Sequence, residues 1–404
     1  MYKYIKYKIR KISVNARYQN KLKKLKPKKQ LTVLFLVSQN EKWSCDSLFR
    51  AMQNDTFFDP KICIIPLTAY DSEKTESTYK ENVDFFKNKG FQILDGYDFE
   101  NNTAISLSIY KPDIIFYQQQ WDLLKPYKIN VTSRYALTCY VPYSILLSKN
   151  TKHFSLNFQH LLWKIFLDSP SNLKRFKKYM HNNAKNCVVS GYPKLDFYLE
   201  NTADANRPRT VIYAPHHSFE KTGLGYATFA WNGAEILNFA KKNPDVHFVF
   251  KPHPRFKFAI VKNGIMTQAE IDAYYQAWQN LKNGSVHGTG DYMNLFLNST
   301  AMITDCSSFL GEYYFTGNPL IHLISKNSAG QNELGENISK NYYQVHNLTE
   351  LKTTLHTVIT ENKDPLKDKR LRAKNGLAFP ENGSGNYIKE YLKNIIQQGS
   401  HHVT

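Results

Sequence analysis

With 404 residues, 42% of them hydrophobic, and 53 Lys+Arg against 34 Asp+Glu, the chain is long enough for two domains with separate cores and too apolar for disorder. No run of eighteen apolar residues occurs, which excludes a spanning helix, and the first residues lack the apolar stretch of a signal peptide. The five cysteines, Cys45, Cys63, Cys139, Cys187 and Cys306, are far apart without metal-ligand pairing, and they read as reduced core thiols of a cytosolic protein.

Charge is concentrated at the start. Residues 1–29 carry twelve basic side chains, from Lys3 to Lys29, and no acidic one, so only +7 of the formal +19 belongs to the rest. Ile5, Ile9 and Ile12 recur at helical spacing, and Tyr2, Tyr4 and Tyr7 are residues that settle at a lipid–water boundary. The segment therefore predicts a basic amphipathic helix drawn to an anionic membrane surface, at about 1 kcal/mol per basic side chain. A solvated basic tail is the plain alternative. Nucleic acid is not an expected partner, because no nucleic-acid module follows.

From Leu31 onward, short apolar runs alternate with amphipathic ones. Strands are predicted at 31–37, 61–67, 91–94, 113–117 and 187–189, with helices at 43–54 and 76–89. The polar stretch 201–209 lacks large apolar residues and marks a boundary. Beyond it the alternation resumes, with strands at 210–214, 246–251, 301–304 and 320–323 and helices at 231–242, 268–281 and 308–315. The expected class is α/β, two successive domains over 30–200 and 207–395, each on a parallel sheet, with a cleft between them. The terminal Gly399-Ser400-His401-His402 is set aside.

Three strand ends in the second domain carry polar chemistry, where open α/β sheets bind ligands. After Val211-Ile212-Tyr213-Ala214, Pro215 ends the ladder and places His216, His217 and Ser218 on a loop; neighbouring imidazoles can grip phosphate or move a proton. Zinc is not expected there, since no third ligand stands at matching spacing. After Phe248-Val249-Phe250 come Lys251, then His253 between two prolines, then Arg255, which offer a point charge, a rigidly held imidazole and a forked donor. After Ala301-Met302-Ile303-Thr304, the run Asp305-Cys306-Ser307-Ser308 opens a helix. A serine N-cap and the helix amides read as a phosphate cradle, with Glu312 one turn on as either a ribose ligand or a solvated residue.

In combination these motifs, with Gly317-Asn318-Pro319-Leu320-Ile321, resemble the CDP-glycerol glycerophosphotransferase family of teichoic-acid and capsule polymer synthesis. Ser190-Gly191-Tyr192-Pro193-Lys194-Leu195-Asp196 is similar to that family's interdomain linker, and Gln159-His160-Leu161-Leu162-Trp163-Lys164 to its Trp-His-Gly segment, although Leu161 replaces the glycine. The resemblance covers about residues 110–390. It implies a GT-B-like pair of Rossmann-like domains and transfer of a polyol phosphate from a CDP-linked donor, CDP-glycerol or CDP-ribitol, to a hydroxyl of a glycan or lipid-linked acceptor, with CMP released. By that resemblance His160 is the base, with His216 or His217 in reserve, and His253 steadies the donor phosphates. Lys251, Arg255, Ser307 and Ser308 complete the anion cradle, beside Asp305, His217, Ser218 and Glu312.

No tightly bound cofactor is expected. Asp305 is the one candidate ligand for Mg²⁺, and a single carboxylate is a thin shell. The expected setting is the inner face of a bacterial plasma membrane. A glycosyltransferase using a nucleotide sugar and a non-catalytic polyanion-binding protein are the alternatives; the second predicts that His160→Ala and His253→Ala leave function intact.

Overall fold

The computed structural model describes residues 2–68, 72–154, 156–220, 223–288, 291–373 and 376–398; of the side chains at 2–10, including Ile5 and Ile9, and of the terminal Gly399-Ser400-His401-His402 nothing is described. Its strands are β1 (Leu31–Val37), β2 (Phe58–Ile64), β3 (Ile93–Asp95), β4 (Tyr97–Asp98), β5 (Thr103–Ala104), β6 (Ile114–Tyr117), β7 (Leu137–Tyr140), β8 (Lys164–Leu167), β9 (Cys187–Val189), β10 (Thr210–Ala214), β11 (His247–Phe250), β12 (Gly284–Val286), β13 (Ala301–Thr304), β14 (Leu320–Leu323) and β15 (Tyr343–Val345). The chain divides into two compact units, one of Met1–Ser144, Thr151–Phe197 and Leu377–Thr404, the other of Ile145–Asn150 and Tyr198–Gly376.

In the first unit a parallel sheet runs β3-β2-β1-β6-β7-β8-β9, with β4 and β5 as a small antiparallel pair beside it. β1 is almost wholly apolar because it lies inside this sheet, bonded to β2 and β6 and covered on both faces. Phe35 stacks on Phe116 of the next strand at 4.7 Å between centroids. The second unit repeats the plan in the order β12-β11-β10-β13-β14-β15, all parallel. Its core gathers Phe250, stacked on Trp278 at 5.5 Å, with Phe248, Phe256 and Tyr274. Both sheets thus have a doubly wound order in which the winding reverses beside the first strand, between β1 and β6 and between β10 and β13.

The two-sheet α/β class stands as the sequence predicts. β7, β8, β12 and β15 were not anticipated. They are three or four residues long, and those of β8 and β12 include Lys164 and Gly284, which interrupt the apolar signal.

At the ends of the chain the predicted basic helix forms but is docked, and one domain assignment changes. The basic segment is a helix, Tyr2–Leu25, whose second half is not a free tail: Val14, Tyr18 and Leu25 are buried in the first unit. Tyr18 Oη lies 2.5 Å from Thr138 Oγ1 and donates to the Leu161 carbonyl at 2.8 Å, while Lys21 and Lys28 pair with buried Asp113 at 3.0 and 2.7 Å. Asp113 precedes β6 and Thr138 is the second residue of β7, so the helix crosses the edge where the strands begin. Tyr18→Ala removes a buried ring and strands two polar partners. A loss of about 3–5 kcal/mol is expected, read as a lowered Tm; an unchanged Tm would show that the helix does not dock.

The changed assignment is the last helix, Ser384–Gln397, which joins the first unit rather than the second. Asp196, at the end of the Gly-Tyr-Pro-Lys-Leu-Asp motif, accepts from the Ser384 and Gly385 amides at 2.8 and 2.7 Å and from Ser47 Oγ at 2.7 Å. It caps that helix in place of a side chain at Gly383. Gly191 of the same motif has φ +78°, and a Cβ there would meet the Ala378 carbonyl oxygen at 2.6 Å, so only glycine fits.

Candidate functional site

In the second unit, the loops after β10, β11 and β13 hold the predicted polar residues, and these three strands are neighbours at the point where the winding reverses. Backbone bonds fix the loops to one another. The Lys251 amide donates to the Tyr213 carbonyl at 2.8 Å and the His253 amide to Pro215 at 3.1 Å. Thr304 Oγ1 donates to the Ala214 carbonyl at 2.7 Å. Three segments separated by up to ninety residues thereby form one rim.

Three imidazoles converge on it. His217 and His253 stack with centroids 3.8 Å apart, His216 and His217 lie 4.4 Å apart, and His216 and His253 5.3 Å apart. Hydrogen bonds set the tautomers of two of them. The Ser218 amide donates to His216 Nδ1 at 3.2 Å, with Ser218 Oγ 2.8 Å from the same nitrogen, and the Arg255 amide donates to His253 Nδ1 at 3.0 Å. A nitrogen that accepts carries no proton, so in each neutral ring the hydrogen is on Nε2. Burial pushes the His216 pKa well below its ordinary value, with His217 adding to the shift, so His216 stays neutral.

Ligand atoms of His216, His217 and His253 lie within 4.8 Å of one another, the only group of three metal-competent side chains found among the described residues. The third ligand that the sequence spacing lacks is thus brought in by the fold. To bind a metal through Nε2, however, His216 and His253 would have to move their protons to Nδ1, against the backbone N–H groups of Ser218 and Arg255. The set as bonded presents N–H donors and suits an oxyanion.

Lys251 is buried, with Nζ 4.6 Å from the Tyr292 ring centroid and 5.8 Å from that of Phe309. Tyr292 in turn donates to Glu312 Oε2 at 2.6 Å. Glu312 is buried, so of its two sequence readings the solvated one falls. His287, which the sequence analysis passed over, follows three-residue β12 and bonds through its amide to the Phe250 carbonyl at 2.9 Å. Its pKa is lowered by burial and by Lys251, with Asp291 opposing. Its Nε2 is buried and has no hydrogen-bond partner among the described residues. The signal that could have found it is positional, a histidine directly after a strand next to β11.

Several expected roles change. Asp305 is buried and does not present an oxygen to Mg²⁺: Oδ1 accepts the His216 amide at 2.6 Å, and Oδ2 accepts the Thr228 amide and hydroxyl, each at 2.7 Å. Burial raises its pKa to about 7 against the pull of those bonds. It is a staple between loops. The helix here, Ser307–Glu312, is only six residues long, and its N-cap is Cys306, whose amide is met by Thr304 Oγ1 at 3.0 Å. Ser307 Oγ donates to Gln331 Oε1 at 2.8 Å, and Ser308 Oγ lies 3.4 Å from Cys306 Sγ. Arg255 is exposed, and its amide, rather than its guanidinium, is what the hydrogen bonds tie to the rim.

His160 is not at the carboxyl end of any strand. It lies on the short helix Asn157–Leu161 that leads into β8, on the edge against which the N-terminal helix packs. It stacks on His181 at 5.3 Å, and burial, Lys11 and His181 lower its pKa to about 4. A base of that strength has lost most of its affinity for a proton at neutral pH. The first unit does have polar residues where its winding reverses. Gln118 Oε1 accepts the Ser38 amide at 3.1 Å, and Lys42 Nζ donates to Gln119 Oε1 at 2.8 Å beside the rings of Trp121 and Tyr143. The sequence marks them, for Gln118 and Gln119 directly follow the predicted strand 113–117.

Fold and site together define a protein of two Rossmann-like parallel sheets in the GT-B-like class. Solved structures agree on the fold. A Listeria monocytogenes protein assigned as a UDP-N-acetylglucosamine 2-epimerase matches with TM-score 0.61 at 12% identity, over 92% of this chain and 98% of its own. S. aureus MnaA in complex with UDP matches at 0.57 and 12%, over 92% and 99%. The Methanocaldococcus jannaschii UDP-GlcNAc 2-epimerase with UDP-GlcNAc and UDP matches at 0.55 and 15%, over 90% and 99%. No curated protein matches the sequence.

Residues 147–327 match the family described as CDP-Glycerol:Poly(glycerophosphate) glycerophosphotransferase, which bears out the family resemblance of the motifs and supports a transferase. That span includes the β10, β11 and β13 loops.

Proposed function

We propose that the chain transfers a polyol phosphate from a CDP-linked donor to an acceptor hydroxyl and releases CMP. The observation that carries this reading is the triple imidazole rim with two fixed Nε2–H donors and buried Lys251, inside the segment that matches the glycerophosphotransferase family. The acceptor hydroxyl gives up its proton to solvent as its oxygen forms a bond to the phosphorus of the polyol phosphate, the bond from that phosphorus to the CMP oxygen breaks, and the electron pair leaves with CMP. Such a step gains chiefly from positioning and charge stabilisation. His253 and His216 would donate to the diphosphate oxygens, and Lys251 would balance charge as it shifts to CMP. A glycan or lipid-linked acceptor, and residence at an anionic membrane, complete the proposal. No helix among the described residues is long and apolar enough to cross a membrane.

A nucleotide sugar is the rival donor, since the S. aureus and M. jannaschii relatives in fold hold UDP or UDP-GlcNAc. Incubation with CDP-glycerol, CDP-ribitol, UDP-sugars and CMP-sugars, followed by mass spectrometry of the released nucleotide, separates the two. CMP from a CDP-polyol is expected. UDP released from a UDP-sugar, with CDP-polyols inert, would overturn the reading.

A further inference from the structure

The first unit contains a cavity of about 760 Å³ between the N-terminal helix, the His160 segment, residues 181–186 and the last helix. Five lysines line it: Lys11 and Lys23 from the N-terminal helix, Lys26 just past its end, Lys164 from β8, and Lys185. No lining residue is acidic, and none of the five makes an ion pair with a described residue. Lys164 is the most telling. It is 6% exposed and packs beside the rings of Trp163 and Tyr391, at 5.9 and 5.2 Å. A buried ammonium without a carboxylate is costly unless an anion joins it. His160 and His181 add two further nitrogen-bearing rings to the wall.

The mutual influence of these groups agrees with the geometry. Lys11 has its pKa lowered by burial and by Lys185, and that of Lys164 is lowered by burial. Like charges are being held together, which a bound anion would relieve.

We infer that this cavity is a second anion site, distinct from the β10–β13 rim, that takes a ligand bearing a diphosphate or phosphodiester group. It does not rest on the transferase reading, because all its residues belong to the first unit. More than a third of its lining comes from the basic segment, so ligand binding and docking of that helix are coupled: an anion bridging Lys11, Lys23 and Lys26 to Lys164 and Lys185 holds the helix in place. The same chemistry is offered by a soluble diphosphate and by an anionic lipid head group.

The test uses the full chain carrying His253→Ala, which removes one of the other cluster's two fixed donors, with the variants below made in that background so that any binding left at the rim is common to all. Inorganic pyrophosphate is titrated by calorimetry, and flotation is measured with phosphatidylglycerol and with phosphatidylcholine vesicles. Lys11→Ala with Lys185→Ala, both on accessible positions, and separately Lys164→Met, which keeps the packing volume, are each expected to weaken binding at least about tenfold. Loss of pyrophosphate binding identifies a diphosphate ligand; loss of phosphatidylglycerol flotation alone identifies a head group. Binding of either probe with unchanged affinity in both variants, or no binding of either probe to the His253→Ala chain, would overturn the inference.

Discussion

His253→Ala is expected to lower turnover of the CDP-linked donor by about 10²–10³-fold, the usual effect of removing one preorganised donor from a developing charge. His253 is half-buried on a turn stiffened by Pro252 and Pro254, so the fold should survive and Tm should shift little. His253→Gln is the informative companion, because its amide NH₂ stands near the imidazole Nε2 position and keeps a donor. It should retain more activity than the alanine variant. Equal loss in both, accompanied by a matching fall in Tm, would instead mark His253 as structural.

Asp305→Ala should have a large effect on stability, at least as great as that of Tyr18→Ala. It leaves the amides of His216 and Thr228 and the Thr228 hydroxyl without the acceptor that now joins the β10 loop to the β13 loop. At about 1–3 kcal/mol for each of these three buried groups left unsatisfied, the loss is about 3 kcal/mol or more, a large share of an ordinary domain's stability. The pH dependence gives this residue a signature. With its folded pKa raised to about 7, Asp305 contributes stability that is fully present below its unfolded value near 4 and is lost as pH rises through 7. The difference between parent and variant in denaturant unfolding should therefore be greatest at about pH 4, shrink as pH rises, and level off above pH 7. A difference that grows toward pH 8 would mean that the ionised carboxylate is the favoured form.

The strand-end rule accounts for what could be seen in the sequence. His216, Lys251, His253 and Asp305 each follow an apolar run that forms a central strand, and the order β11-β10-β13 puts those runs side by side. That they share one rim was legible. What each does there was not, because tautomers and staples depend on amides that spacing does not locate. The Asp305 carboxylate looks like a ligand until the His216 and Thr228 amides are seen to fill it.

His160 shows the opposite failure. Its likeness to a motif assigned a role, but the unanticipated strand β8 begins after it and puts it at the wrong end of the sheet. Gln118 and Gln119 satisfied the rule that His160 did not, and they were passed over because amides attract less notice than imidazoles. In the basic segment the helical spacing of Ile5, Ile9 and Ile12 shows the helix, but the stripe that docks lies further on, at Val14, Tyr18 and Leu25, spaced four and seven residues apart.

The central claim is that the imidazole rim of the second unit presents Nε2–H donors to the phosphates of a nucleotide. Histidine ring ¹⁵N spectra of the full chain, recorded with and without CDP, test it most directly. The account predicts Nε2–H tautomers for His216 and His253 in the free protein and a change in both rings when CDP binds, with affinity falling in Lys251→Ala. Nδ1–H tautomers, or CDP binding that leaves these rings unperturbed, would contradict it.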